Sequence, residues 1–187
     1  VKIAAQCHSI SDSARICVLA RGHRNVVAVP MGEIGLAGRV LSLRMGSALA
    51  YAAVEQSTAP GQLSLDAMEG LYHASRITRR TRVYGVIGNP IAHSLSPLLH
   101  NTAFQARKFD AVFVPFLVRD LRDFLSAIRP FGISGFGVTI PHKEDILRRL
   151  DDRLGRLIRR GPILFRGRLR LCHRRFRRGG VRLRRLR

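Results

Sequence analysis

Arg82-Val-Tyr-Gly-Val-Ile-Gly-Asn-Pro-Ile-Ala-His-Ser-Leu-Ser-Pro97 reads as one complete strand–turn–helix passage. The apolar, β-branched run 82–87 predicts a strand, and Gly88-Asn89-Pro90 predicts a turn. Pro97 stands where a helix tolerates proline best, at its first position, because that residue needs no N–H donor. Similar passages flank this one. Strands are expected at 1–6, 26–30, 49–54, 82–87, 111–116 and 133–139. Helices are expected at 11–21, 36–45, 64–76, 96–107, 119–128 and 141–150. Ser64 can cap the third helix with Asp66 in its first turn, and Ile140-Pro141 sets a second proline at a helix start. Six strand–helix units in series predict α/β architecture with mainly parallel sheet. Residues 77–81 (Ile-Thr-Arg-Arg-Thr) form a polar joint between two groups of three units, whereas Pro130-Phe-Gly132 is only a turn.

The formal net charge is +21. It is unevenly placed: residues 1–80 and 81–150 each carry nine basic and five acidic side chains, whereas 151–187 carry 15 arginines and two aspartates. Basic character is therefore a property of the tail. Two origins fit that tail: a frame change in a GC-rich gene, which yields Arg, Gly, Leu and Pro, or an arginine-rich segment that binds RNA or phosphate. Its only aromatics, Phe165 and Phe176, make no row of stacking platforms, which favours the first. Cys7, Cys17 and Cys172 show no CxxC spacing, so neither a disulfide framework nor a metal site is expected. No apolar run reaches membrane-spanning length, and a reducing, cytoplasmic setting fits best.

Only three of the 33 basic residues are lysines: Lys2, Lys108 and Lys143. An ammonium can lose its proton and act as nucleophile or acid/base, which a guanidinium cannot do. Lys143 closes Gly135-Phe-Gly-Val-Thr-Ile-Pro-His-Lys143. Lys2 lies in the apolar run Val1-Lys-Ile-Ala-Ala5. Ser94 and Ser96, with free backbone N–H groups at a helix start, suit a carboxylate. Thr139 and Lys143 repeat that arrangement at the end of strand 133–139, where open parallel sheets bind ligands. No Gly-rich dinucleotide fingerprint exists, since Gly135 and Gly137 lack a third glycine and sit late in a strand.

Gly88 to Asn101 and Gly135 to Lys143 resemble the substrate-binding domain of shikimate dehydrogenase, whose pattern reads roughly GNPIxHSxSPxxHN and then GxxVTxPxK. The resemblance implies that Ser94 and Ser96 hold the substrate carboxylate, that Thr139 meets a ring hydroxyl, and that Lys143 handles proton transfer at the reacting oxygen. Gly137 stands where many relatives have Asn. His93 and His100 are expected in local hydrogen bonds.

Val1-Lys-Ile-Ala4, Met31-Gly-Glu-Ile-Gly35 with Arg39, and Thr58-Ala-Pro-Gly-Gln62 resemble the C-terminal part of type I 3-dehydroquinate dehydratase, a (β/α)8 barrel. That resemblance implies Lys2 as the Schiff-base lysine, Arg39 as the carboxylate clamp, and Thr58 and Gln62 as neutral hydrogen-bonding groups closing the site. The family's catalytic histidine falls upstream of the matched segment. The expected fold is the last three strand–helix units of the barrel (1–80), then an open, mainly parallel α/β substrate-binding domain (81–152), then an irregular basic tail (153–187).

Together the resemblances imply part of a bifunctional shikimate-pathway enzyme, a lyase joined to an oxidoreductase, acting on 3-dehydroquinate, 3-dehydroshikimate and shikimate. NADPH is the implied cofactor of the full-length enzyme, its binding domain expected to be absent here, and this fragment is expected to be inactive. The competing reading is a basic nucleic-acid-binding protein acting through the Arg-rich tail.

Overall fold

A computed structural model describes residues 1–54 and 59–149. The expectations for Thr58 and for the tail 153–187 lie outside the described residues.

In the first half, β1 (Lys2–Gln6) and β2 (Val27–Met31) pair in parallel across α1 (Ile10–Val18). A 3-10 turn, Glu33–Gly35, then leads into α2 (Leu36–Met45). A capping box starts α1: the Ser9 hydroxyl accepts from the Asp12 N–H, and the Asp12 carboxylate accepts from the Ser9 N–H. The third expected unit is reduced. Its strand shrinks to one parallel bridge, Ala53 to Ser64, and its helix to a π-helical turn (Ala67–Leu71) and a 3-10 turn (Ala74–Arg76). Alanine-rich 49–54 has low strand propensity, while the left-handed His73 (φ 51°) separates the two helical turns. Ser64 still caps as its sequence predicts, accepting from the Ala67 N–H at 3.1 Å.

The second half follows its sequence closely. β3 (Arg82–Gly88), β4 (Ala111–Leu117) and β5 (Ile133–Val138) form a parallel sheet in the order β4-β3-β5. α3 (Ser96–Ala106) and α4 (Leu121–Phe131) make the crossovers. Central β3 is mostly buried, as a strand covered on both faces must be. Gly85 is required within it: a Cβ there would lie 2.5 Å from the Phe116 ring. On the outer edge of β4, the Asn101 side chain donates to the Phe113 carbonyl at 2.9 Å and accepts from the Phe113 N–H at 2.8 Å. Its amide thus completes the ladder where a neighbouring strand is missing. A helix covers 143–149, beginning two residues later than Pro141 suggested.

The polar joint at 77–81 separates the two groups in sequence but does not divide the core. One cluster runs from Ile10, Cys17 and Leu41 through to Val83, Phe116, Phe124 and Phe131. α4 supplies Leu121, Phe124, Ala127 and Phe131 on one face, and Phe124 meets Phe116 and Phe136 edge-on. α4 packs against α1 and also caps it. The Asp123 carboxylate accepts from the Ile10 N–H at 2.6 Å and the Ser11 N–H at 3.1 Å, two of the donors every helix start leaves unpaired.

Asp123→Ala should therefore destabilise the chain by about 1.5–3 kcal/mol, the usual range for hydrogen bonds to a charged group. Asp123→Asn should recover part of that loss. Urea unfolding followed by circular dichroism measures both, and an unchanged midpoint in Asp123→Ala would show that the α1 start does not depend on α4.

Candidate functional site

β3 and β5 are neighbours, so the loops that follow them emerge side by side. Backbone bonds tie them together: the Thr139 N–H donates to the Ile87 carbonyl at 2.9 Å, and the Asn89 N–H to the Ile140 carbonyl at 3.0 Å. Asn89-Pro90 and Ile140-Pro141 are both cis. Gly88 lets the loops close up, since a Cβ there would stand 2.4 Å from Thr139 Cγ2. Ser94 and Ser96 are half-buried at the α3 start, where the Ser94 hydroxyl accepts from the Ser96 N–H at 3.3 Å. Lys143 is exposed at the start of the 143–149 helix, immediately after His142.

His142 is a positioning residue that the motif carries but sequence reasoning passed over. Only 6% exposed, its ring Nε2 lies 2.8 Å from the Val118 carbonyl, and its backbone N–H donates to the Thr139 carbonyl at 3.0 Å. The turn that presents Lys143 is thereby pinned to the end of β4. Its signal was available in the adjacency of an imidazole to the motif lysine. His100 departs from expectation: its ring stacks on Phe113 at 4.3 Å and 17°, an aromatic contact that accompanies the Asn101 bridge. His93 is exposed.

In the first half the candidate residues also lie toward the C-terminal ends of the strands, with one exception. Lys2 sits at the start of β1, its ammonium 4.3 Å above the Tyr51 ring. Arg39 is 7% exposed, and its Nε–H donates to the Pro30 carbonyl at 3.0 Å, which leaves its terminal nitrogens for a ligand. Burial pushes its guanidinium pKa down, partly offset by the nearby Cys7. Pro30 pairs with Ala5, three residues beyond Lys2, so about 10 Å of strand separates the Lys2 and Arg39 anchor levels. Gln62 belongs to a loop seated on the same end: a Cβ on left-handed Gly61 would lie 2.1 Å from the Gly32 carbonyl. Thr58 is outside the described residues.

Cys7 and Cys17 are buried, and burial raises both thiol pKa values, which leaves them protonated and poor ligands or nucleophiles. Among the described residues no cluster of His, Cys, Asp and Glu could hold a metal ion. Nor do they fit a nicotinamide dinucleotide: Gly135 and Gly137 lie inside β5, paired with Tyr84 and Val86, and not in a loop that could cradle phosphate.

Residues 1–79 match the family model of type I 3-dehydroquinase, and residues 86–157 that of the shikimate dehydrogenase substrate binding domain. The bifunctional 3-dehydroquinate dehydratase/shikimate dehydrogenase of Arabidopsis thaliana, a chloroplastic protein, is 39% identical over 155 residues, covering 81% of this chain and 26% of that one. The chain resembles part of such a bifunctional enzyme. Its dehydrogenase-like half is 53% identical over 77 residues to the NADP(+) shikimate dehydrogenase of Geobacter metallireducens, covering 40% of this chain and 27% of that one. Shikimate dehydrogenase from Aquifex aeolicus superposes with a TM-score of 0.37 and 35% identity, over 38% of this chain and 28% of that structure. The chain thus spans about a quarter of the length of these relatives. No helix among the described residues is long and apolar enough to cross a membrane.

Proposed function

We propose that residues 81–152 form a shikimate and 3-dehydroshikimate binding unit and that residues 1–80 form the Schiff-base end of a 3-dehydroquinate dehydratase. The observation that supports the first assignment is the stitching of the β3 and β5 loops, which joins the loops that carry two sequence motifs about forty residues apart. Ser94 and Ser96 offer hydroxyls to the substrate carboxylate, Thr139 offers one to a ring hydroxyl, and the Lys143 ammonium faces the oxygen that gains or loses a proton. The hydride belongs to NADP, the cofactor named for the relatives, and no described residue supplies a step through it.

In the first half the Lys2 amine would attack the ketone of 3-dehydroquinate. Loss of water would then leave an iminium that draws electrons from the adjacent carbon. Arg39 is anchored at Nε and would take the substrate carboxylate through its terminal nitrogens. Gln62 and Thr58 would close the site. Nothing among the described residues favours the nucleic-acid reading, whose arginines lie in 153–187.

Chemical-shift titration with shikimate tests the second half. Saturable shifts are expected near Ser94, Thr139 and Lys143, and Ser94→Ala or Lys143→Ala should weaken binding roughly tenfold or more, as loss of a charge-assisted hydrogen bond of about 1.5–3 kcal/mol dictates. A folded chain without saturable shifts there, or two substitutions without effect, would refute the assignment. Lys2 is tested by borohydride trapping with 3-dehydroquinate in the presence of a complementing N-terminal barrel fragment. Peptide mapping should find the adduct on Lys2. An adduct on Lys108 or Lys143, or none, would sink the Schiff-base role.

A further inference from the structure

Three arginines, Arg21, Arg44 and Arg79, line an open cleft of about 280 Å³ together with Gly22 and Met45. The cleft is built from residues that follow α1, end α2 and precede β3, whereas the motifs of Ser94, Ser96, Thr139 and Lys143 follow the C-terminal ends of β3 and β5. Of the described candidate substrate residues, Lys2 alone lies at a strand start. No described carboxylate answers these charges: the ion pairs among the described residues join only Arg148 to Glu144 and Asp145. Burial lowers the pKa of Arg44, and the charge of nearby Arg21 adds to that. The chain therefore holds like charges against each other.

Part of that charge is answered by helix ends. Arg21 donates to the Pro130 carbonyl, and Arg44 donates through Nη1 to the Phe131 carbonyl at 3.2 Å and through Nε to the Thr81 carbonyl at 2.7 Å. Arg79 lies against the left-handed end of α2, its Nη2 2.8 Å from where a Gly46 Cβ would stand, and makes no hydrogen bond to the described residues. Helix C-termini carry partial negative charge, so the end of α4, which accepts from Arg21 and Arg44, offsets part of the three positive charges. The remainder is net positive and suits an anion with several charged oxygens, such as a phosphoryl group.

We propose that this cleft binds a phosphoryl anion, either inorganic phosphate or a phosphate monoester. A tetrahedral anion has three oxygens to turn toward three guanidiniums, whereas a carboxylate has two. Arg79 brings its unused donors, Arg21 and Arg44 bring those not committed to α4, and Gly22 leaves the wall open, with nothing within 4 Å of its Cβ position. Because Arg21 and Arg44 also hold the end of α4, the bound anion strengthens the contact between the two halves of the chain.

The test is a chemical-shift and thermal-melt titration of the whole chain with inorganic phosphate and with glycerol 3-phosphate, in chloride buffer at constant ionic strength. Saturable shifts are expected at the Gly22, Gly46 and Gly132 amides, with a rise in melting temperature. Arg79→Ala, at an exposed residue without hydrogen bonds, should weaken binding at least tenfold. Arg107→Ala, at an exposed residue just after α3, should not. A response to the monoester but not to phosphate assigns the site to an organic phosphate, and the converse to the free ion. Shifts spread over the surface, or equal affinity in Arg79→Ala and Arg107→Ala, would overturn the site in favour of diffuse charge attraction.

Discussion

Parallel pairing of β5 with β3 is the constraint on which the second half depends. A parallel neighbour points its C-terminal end the same way, so two loops far apart in sequence must leave the sheet together. Gly88 removes the Cβ that would keep them apart, and two backbone hydrogen bonds then join them. Position in the sheet sets the two loops side by side, and His142 fixes the turn before Lys143 by bonding to the end of β4.

The first half depends on the second in a way its own sequence does not announce. Only two of its strands pair with each other, β1 is largely exposed, and its third unit is reduced to a bridge and two short turns. It holds its shape by burying α1 and α2 against elements of the second half in one continuous core. Fully burying a single large apolar side chain is worth about 1.5–3 kcal/mol, so the shared apolar core outweighs any one polar contact at the junction. The polar contacts set the register. Asp123 fixes where α1 begins, and Arg21 and Arg44 fix where α4 ends.

Much of this was legible beforehand because the signals were local. The apolar run at 82–87 and Pro97 at a helix start each specify their element from within a few residues, and the helix expected at 119–128 forms as Leu121–Phe131. The third unit was misjudged because alanine-rich 49–54 has low strand propensity and left-handed His73 breaks the helix expected over 64–76. Asn101 completing the β4 edge, His142 bonding to Val118 and Asp123 capping α1 join residues 12, 24 and 113 positions apart. No periodicity reports such pairs. The motif residues Ser94, Ser96, Thr139 and Lys143 were visible as chemistry, whereas the adjacency of the loops that carry them is a property of strand order.

Whether those two loops form one site is decided most directly by a double-mutant cycle on shikimate affinity, with Ser94→Ala, Lys143→Ala and the double variant measured by titration calorimetry. Two side chains holding one ligand lose their effects non-additively, with a coupling energy of about 0.5–3 kcal/mol. A coupling in that range is the predicted result. Strict additivity, or a shikimate affinity that responds to neither substitution, would contradict the common site.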